Sequence, residues 1–129
     1  MPNDLIGSPR AVALAFKSLA KRRILVIDPC EDLPAILRGT TGASLSVATL
    51  TSLTWDMLNR TQPEIVLAPL VTNAFDIIDV GRRLMQLGYT GALRAFCQPV
   101  PNRHLIRSEV QSACHLLDFD LLEVTAPHN

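Results

Sequence analysis

Ile24-Leu25-Val26-Ile27 runs without a polar break into Asp28-Pro29. Four consecutive apolar residues, three of them β-branched, are too few for a helix. They suit a strand buried on both faces of a parallel sheet. The pattern returns in Ile65-Val66-Leu67-Ala68, entered through Pro63-Glu64 and closed by Pro69. Working outward, Ala92 to Cys97 and Phe119 to Val124 read as further strands, and Leu45 to Val47 as a weaker one. Helical spacing fills the intervals: Glu31 to Arg38, Thr51 to Asn59, Ala74 to Leu87 and Arg103 to Cys114. The third of these carries the stripe Ile77, Ile78, Val80, Leu84 and Leu87 and is closed by Gly88.

Five strands alternating with four helices predict an α/β fold of three layers, a five-stranded parallel sheet with right-handed crossovers. The simplest strand order is 2-1-3-4-5, the flavodoxin-like arrangement. In such sheets ligands and reaction centres gather at the carboxyl ends of the strands, near the switch point between strands one and three.

Ahead of the first strand, Ser8-Pro9 reads as a helix start, and Val12, Phe16 and Leu19 fall on one face of a helix over about 9 to 21. Lys17, Lys21, Arg22 and Arg23 gather at its end, where cations suit the helix dipole. Residues 1–21 are therefore assigned to an N-terminal extension with an amphipathic helix, and 22–129 to the α/β domain.

With 129 residues, 48% apolar and 19% charged, one domain is expected and a second is not. Twelve basic side chains balance twelve acidic ones, so no global field draws the chain to nucleic acid or an anionic membrane. No apolar stretch approaches the roughly 20 residues that span a bilayer, and Met1 to Arg10 has no secretory pattern. A cytoplasmic location is the expectation. Cys30, Cys97 and Cys114 show no CxxC spacing, and Cys114-His115 adds no metal-ligand pattern, so reduced structural thiols are expected. None of the six glycines falls in a phosphate-binding loop.

Arg23-Ile24-Leu25-Val26-Ile27-Asp28 resembles the first strand of bacterial response-regulator receiver domains, and Gln62 to Leu70 resembles their third. Gly81-Arg82-Arg83-Leu84 followed by Leu87-Gly88-Tyr89 is similar to their third helix and its exit. The resemblance covers residues 22 to 124. It implies a phosphoryl-transfer site of acidic metal ligands after strand one, an acceptor aspartate ending strand three, a hydroxyl ending strand four and a lysine ending strand five. This chain keeps Asp28 alone. Pro29 stands at the second acidic position, Pro69 at the acceptor, and Phe96 or Cys97, depending on register, at the hydroxyl. No lysine follows Lys21. The resemblance therefore implies a degenerate receiver without enzymatic activity, metal or cofactor. Asp28 is expected to cap the following helix or to bond nearby backbone amides.

A receiver closes with a helix after strand five, for which only Thr125 to Asn129 remain. The helix bearing Val12, Phe16 and Leu19 is expected to cover that face, in its own chain or exchanged with a second copy as a homodimer. The reading is a protein–protein interaction module of bacterial signalling, its partner another regulatory protein. Two alternatives stand beside it. One is a small flavodoxin-like enzyme or cofactor binder using Asp28, Asn73, Asp76 and Cys97; an open polar pocket would favour it, and an edge closed by prolines and Phe96 would favour the module. The other is a DNA-associated regulator using Lys21 to Arg23, although nucleic acid is not the expected partner.

Overall fold

A computed structural model describes residues 21–28, 42 and 44–123. Its strands are β1 (Arg23–Ile27), β2 (Ser44–Ala48), β3 (Ile65–Pro69), β4 (Ala92–Cys97) and β5 (Asp118–Glu123). They form one sheet in the order β2-β1-β3-β4-β5, every neighbouring pair parallel. The fold is the open, parallel α/β sheet read from the sequence. Three helices are described: α1 (Trp55–Thr61) after β2, α2 (Ile77–Gln86) after β3, and α3 (Arg103–Ala113) after β4. The expected helices over 9 to 21 and 31 to 38, with Val12, Phe16, Leu19, Pro29 and Cys30, lie outside the described residues.

Strand alternation sorts the core. Leu25, Ile27, Val66, Ala68, Leu93, Ala95, Phe119 and Leu121 share one face and pack with Leu58 of α1, Ile77, Val80 and Leu84 of α2, and Val110 of α3. The three described helices thus cover a single face. Ile24, Val26, Ile65, Leu67 and Phe96 alternate with that set and are buried as well. Apolar residues on both faces explain why β1 and β3 read as continuous apolar runs.

Two helices begin later than their apolar spacing suggests. Thr51 to Asn59 becomes Trp55–Thr61 because Thr49 and Ser52 close a turn, Thr49 N–H donating to Ser52 Oγ at 3.0 Å and Ser52 N–H to Thr49 Oγ1 at 3.1 Å. Thr54 then caps the helix, accepting from Met57 N at 3.2 Å. Ala74 to Leu87 becomes Ile77–Gln86 because Thr72 Oγ1 accepts from the amides of Ala74 and Phe75, each at 3.1 Å, and holds that stretch as a turn. Asp76 and Asp79 follow as a reciprocal capping box, with both bonds at 3.0 Å. Gly81 faces α3 so closely that a Cβ there would stand 3.2 Å from Cys114 Cβ and 3.4 Å from Leu93 Cδ2, and closer still to Cys114 Sγ.

Candidate functional site

The carboxyl ends of β1 and β3 are shaped by two residues. Asp28 closes β1 in the left-handed region, with φ 46°, a conformation that aspartate adopts more readily than most residues. Its amide donates to Ala48 O at 2.9 Å, and its Oδ2 accepts from Leu50 N at 3.1 Å. Asp28 therefore fills one of its two expected roles, bonding to a backbone amide; the helix that it is expected to cap lies outside the described residues. The bond ties the exit of β1 to the exit of β2.

Pro69 closes β3. The β1–β3 ladder ends at Val26 opposite Leu67, whereas the β3–β4 ladder continues to Pro69 opposite Phe96. The cause is the missing N–H. Leu70 N–H points to β4, donating to Phe96 O at 3.3 Å, so the amide of residue 69 would face β1. A proline has no hydrogen to offer the Ile27 carbonyl there.

An open cavity of about 540 Å³ lies at this switch point, lined among the described residues by Asp28, Thr49, Leu50, Thr51, Asn73 and Phe75. Its walls are more apolar than polar. Asp76 and Cys97 do not line it. The four residues grouped for a cofactor site therefore divide: Asp28 and Asn73 face the cleft, Asp76 caps α2, and Cys97 lies across the sheet beside β5. The pocket is open, as the enzyme reading asks, but mainly apolar, which it does not ask, and Pro69 and buried Phe96 occupy the β3–β4 end, as the module reading asks.

At the hydroxyl position the register sets Phe96 level with Pro69, and Cys97 one residue beyond, level with Glu123. Burial pushes the half-buried Cys97 thiol up, and the Glu123 charge adds to it. Burial does the same to Cys114. Both thiols are thereby held in the weakly nucleophilic protonated form. Among the described residues no three His, Cys, Asp or Glu side chains stand close enough to share a metal ion.

Where a receiver would carry lysine, β5 ends in Leu122-Glu123. Glu123 accepts from Val100 N at 3.0 Å and pairs with Arg103. That amide bond, helped by the Arg103 guanidinium, holds its carboxyl below the usual carboxylate range. Arg103 also reaches Asp120 Oδ1 at 3.3 Å, and Arg107 lies 3.6 Å from the same oxygen. This cluster guards a sheet edge. Asp118 N–H faces β4, so alternation turns the amides of Phe119 and Leu121 outward. Phe119 N–H donates to Gln111 Oε1 at 3.2 Å and Leu121 N–H to Asp120 Oδ1 at 2.8 Å. Two of the outward donors, those of Phe119 and Leu121, are thus occupied within the chain, which disfavours strand addition at that part of the edge.

None of Arg103, Arg107, Gln111, Asp120 and Glu123 was singled out by sequence reasoning. The one local signal is the spacing of Asp118, Asp120 and Glu123 in a strand whose other residues, Phe119, Leu121 and Leu122, are apolar. The basic turn is also engaged: Arg22 pairs with Glu64 at 3.3 Å, and Arg23 Nε donates to Gln62 O at 2.8 Å. No described helix is long and apolar enough to cross a membrane. No protein-family model matches this chain, and no curated protein matches it in sequence.

Proposed function

We propose that this chain is a receiver-like interaction module of bacterial signalling that does not take up phosphate and whose state is set by binding another regulatory protein in the cytoplasm. The reading rests on the resemblance of β1 and β3 to receiver strands, and one observation carries it. Pro69 ends β3 level with Phe96, so a strand end that would need a nucleophilic oxygen offers neither that oxygen nor a backbone donor. Glu123 in place of a lysine is a second support, because its carboxylate, bonded to Val100 N and Arg103, offers no ammonium to attract a phosphoryl group. The test is incubation of the full chain with magnesium and a small-molecule phosphodonor, read by intact-mass spectrometry. The expected result is no phosphoryl increment; acid-labile incorporation would overturn the reading.

A second reading, a small-molecule or cofactor binder, draws support from the open cleft at the switch point, where parallel sheets hold ligands. A nucleotide or flavin that raised the melting temperature in proportion to its concentration would favour it over the module.

A further inference from the structure

Trp55, the one tryptophan of the chain, is exposed on α1 beside an open groove of about 400 Å³. Pro63 and Gly91, which precede β3 and β4, help to line it, so it opens at the amino ends of the strands, away from Asp28. One wall is a single helical face, on which Trp55, Leu58, Asn59 and Gln62 follow at intervals of three, four and seven residues from the first. The other is the turn after α2, where Gly88 and Gly91 leave the backbone bare. Both walls are held in place. Arg83 Nη2 on α2 donates to Leu53 O, just ahead of α1, at 3.3 Å. Tyr89 Oη donates to Ala92 O at 2.7 Å and sits where a Cβ on Gly91 would stand 2.6 Å from it. Among the described residues Glu64 is the one charged side chain lining the groove, and Arg22 holds it at 3.3 Å and the Arg23 amide at 3.1 Å. Asp56 and Arg60, neighbours of that wall on α1, pair with each other at 2.9 Å. What the groove offers a ligand is an indole and the exposed side chains of Asn59, Gln62 and Thr90, which bring hydrogen-bond donors without charge.

We propose that this groove binds an uncharged, proline-rich segment of a partner protein in the polyproline II conformation, a proline ring resting on Trp55 and backbone carbonyls accepting from Trp55, Asn59 and Gln62. A lining whose one carboxylate is already paired suits a ligand without charge. Proline has a carbonyl but no N–H, so its backbone asks for donors, and an indole and two carboxamides supply them. The spacing agrees. Seven helical residues carry the wall from Trp55 to Gln62 over about 10 Å, close to the roughly 9 Å of one three-residue polyproline turn. Such a segment is extended before it binds, so little ordering entropy opposes docking on an aromatic-lined groove. The proposal goes beyond the interaction-module reading, since it places a partner on a surface remote from the strand ends where phosphate chemistry would occur.

The probes are a proline decamer, a glycine–serine decamer and maltohexaose, each titrated into the isotope-labelled full chain. Backbone and side-chain N–H signals are followed, and the single indole reports Trp55 alone. The proline decamer is expected to move that indole signal, the carboxamides of Asn59 and Gln62 and the amide of Thr90, with an affinity that added salt leaves unchanged. The other two probes are expected to move none of them. Trp55→Ala, an exposed change, should weaken the complex about tenfold, read from the Asn59 and Gln62 signals. Trp55→Phe keeps a ring but removes the donor and should fall between parent and alanine variant. Leu116→Ala, exposed but away from the groove, should leave affinity unchanged. An unmoved indole, shifts centred elsewhere, equal binding of the glycine–serine decamer, or indifference to Trp55→Ala overturns the proposal. Maltohexaose moving these signals in place of the proline decamer also overturns it and assigns the groove to carbohydrate. Phosphate uptake would remove the module reading without touching these titrations, so the two failures are distinguishable.

Discussion

Gly81→Ala in α2 sets two known effects against each other. In a helix interior, alanine is favoured over glycine by about 1 kcal/mol, so an open site would gain stability. Gly81 is buried, and its added Cβ would stand 3.2 Å from Cys114 Cβ and 3.4 Å from Leu93 Cδ2, with Cys114 Sγ well inside van der Waals contact. Overpacking of this kind costs about 1 to 3 kcal/mol. Cys114 has little room to yield, being fully buried between α2 and β4. The steric term should win, leaving the variant about 1 kcal/mol less stable than the parent. Cys114→Ala alone removes the sulfur and opens a small cavity, a loss of about 1 kcal/mol. In the double variant the new methyl enters the space the sulfur leaves. The pair should therefore be more stable than the sum of its parts by about 2 kcal/mol. Urea unfolding followed by far-UV circular dichroism measures all three. A coupling of that size moves the midpoint by about 1 M at a typical slope. If Gly81→Ala were neutral or stabilising, or if the two changes simply added, the close approach of α2 to Cys114 would be refuted.

Three further outcomes follow from the polar contacts. Tyr89 donates to Ala92 O at 2.7 Å and lies 3.2 Å from Glu64 O, and burial raises its phenol above the ordinary value. A raised folded-state value means that its contribution to stability is complete below about pH 10 and is lost as pH climbs further; tyrosinate absorbance in the native chain should lag the urea-unfolded chain, and coincident titrations would refute this. Glu123 is depressed in the folded state, first by the Val100 amide, so its contribution is present above the ordinary carboxylate value and fades as pH falls through the folded one. Glu123→Gln should flatten the acid limb of melting temperature against pH, and a slope equal to the parent's would contradict it. Gln111→Ala frees the outward amide of Phe119, so light scattering should report more concentration-dependent association in the variant than in the parent, and equal behaviour would contradict it.

The sheet was legible because burial on both faces leaves an uninterrupted apolar run, as in Ile24-Leu25-Val26-Ile27 and Ile65-Val66-Leu67-Ala68. Local patterning failed at helix starts. Thr51 to Ser52 and Ala74 to Phe75 lie just ahead of apolar helical stripes, yet hydroxyls of Thr49, Ser52 and Thr72 take the backbone amides and hold these residues in turns. Trp55, the first residue of α1, is 62% exposed although it is large and aromatic. The Arg103, Asp120 and Glu123 cluster escaped because its partners are 17 and 20 residues apart, a separation that no helical or strand period links. Asp28 and Pro69 were legible as positions through the resemblance. What they do was not, since the tie to Leu50 and the halted ladder depend on which strands are neighbours.

Pro69 has a consequence for how such a strand end can change over time. A carboxylate placed there would bring a backbone amide with it, and that amide would reach for the Ile27 carbonyl and draw β1 and β3 together beside the cleft. Side-chain chemistry and local backbone geometry are thus inherited as one unit at this position. Drift away from proline is coupled to a change in the shape of the cleft, so a lineage could not alter the chemistry of this edge while leaving its contour intact.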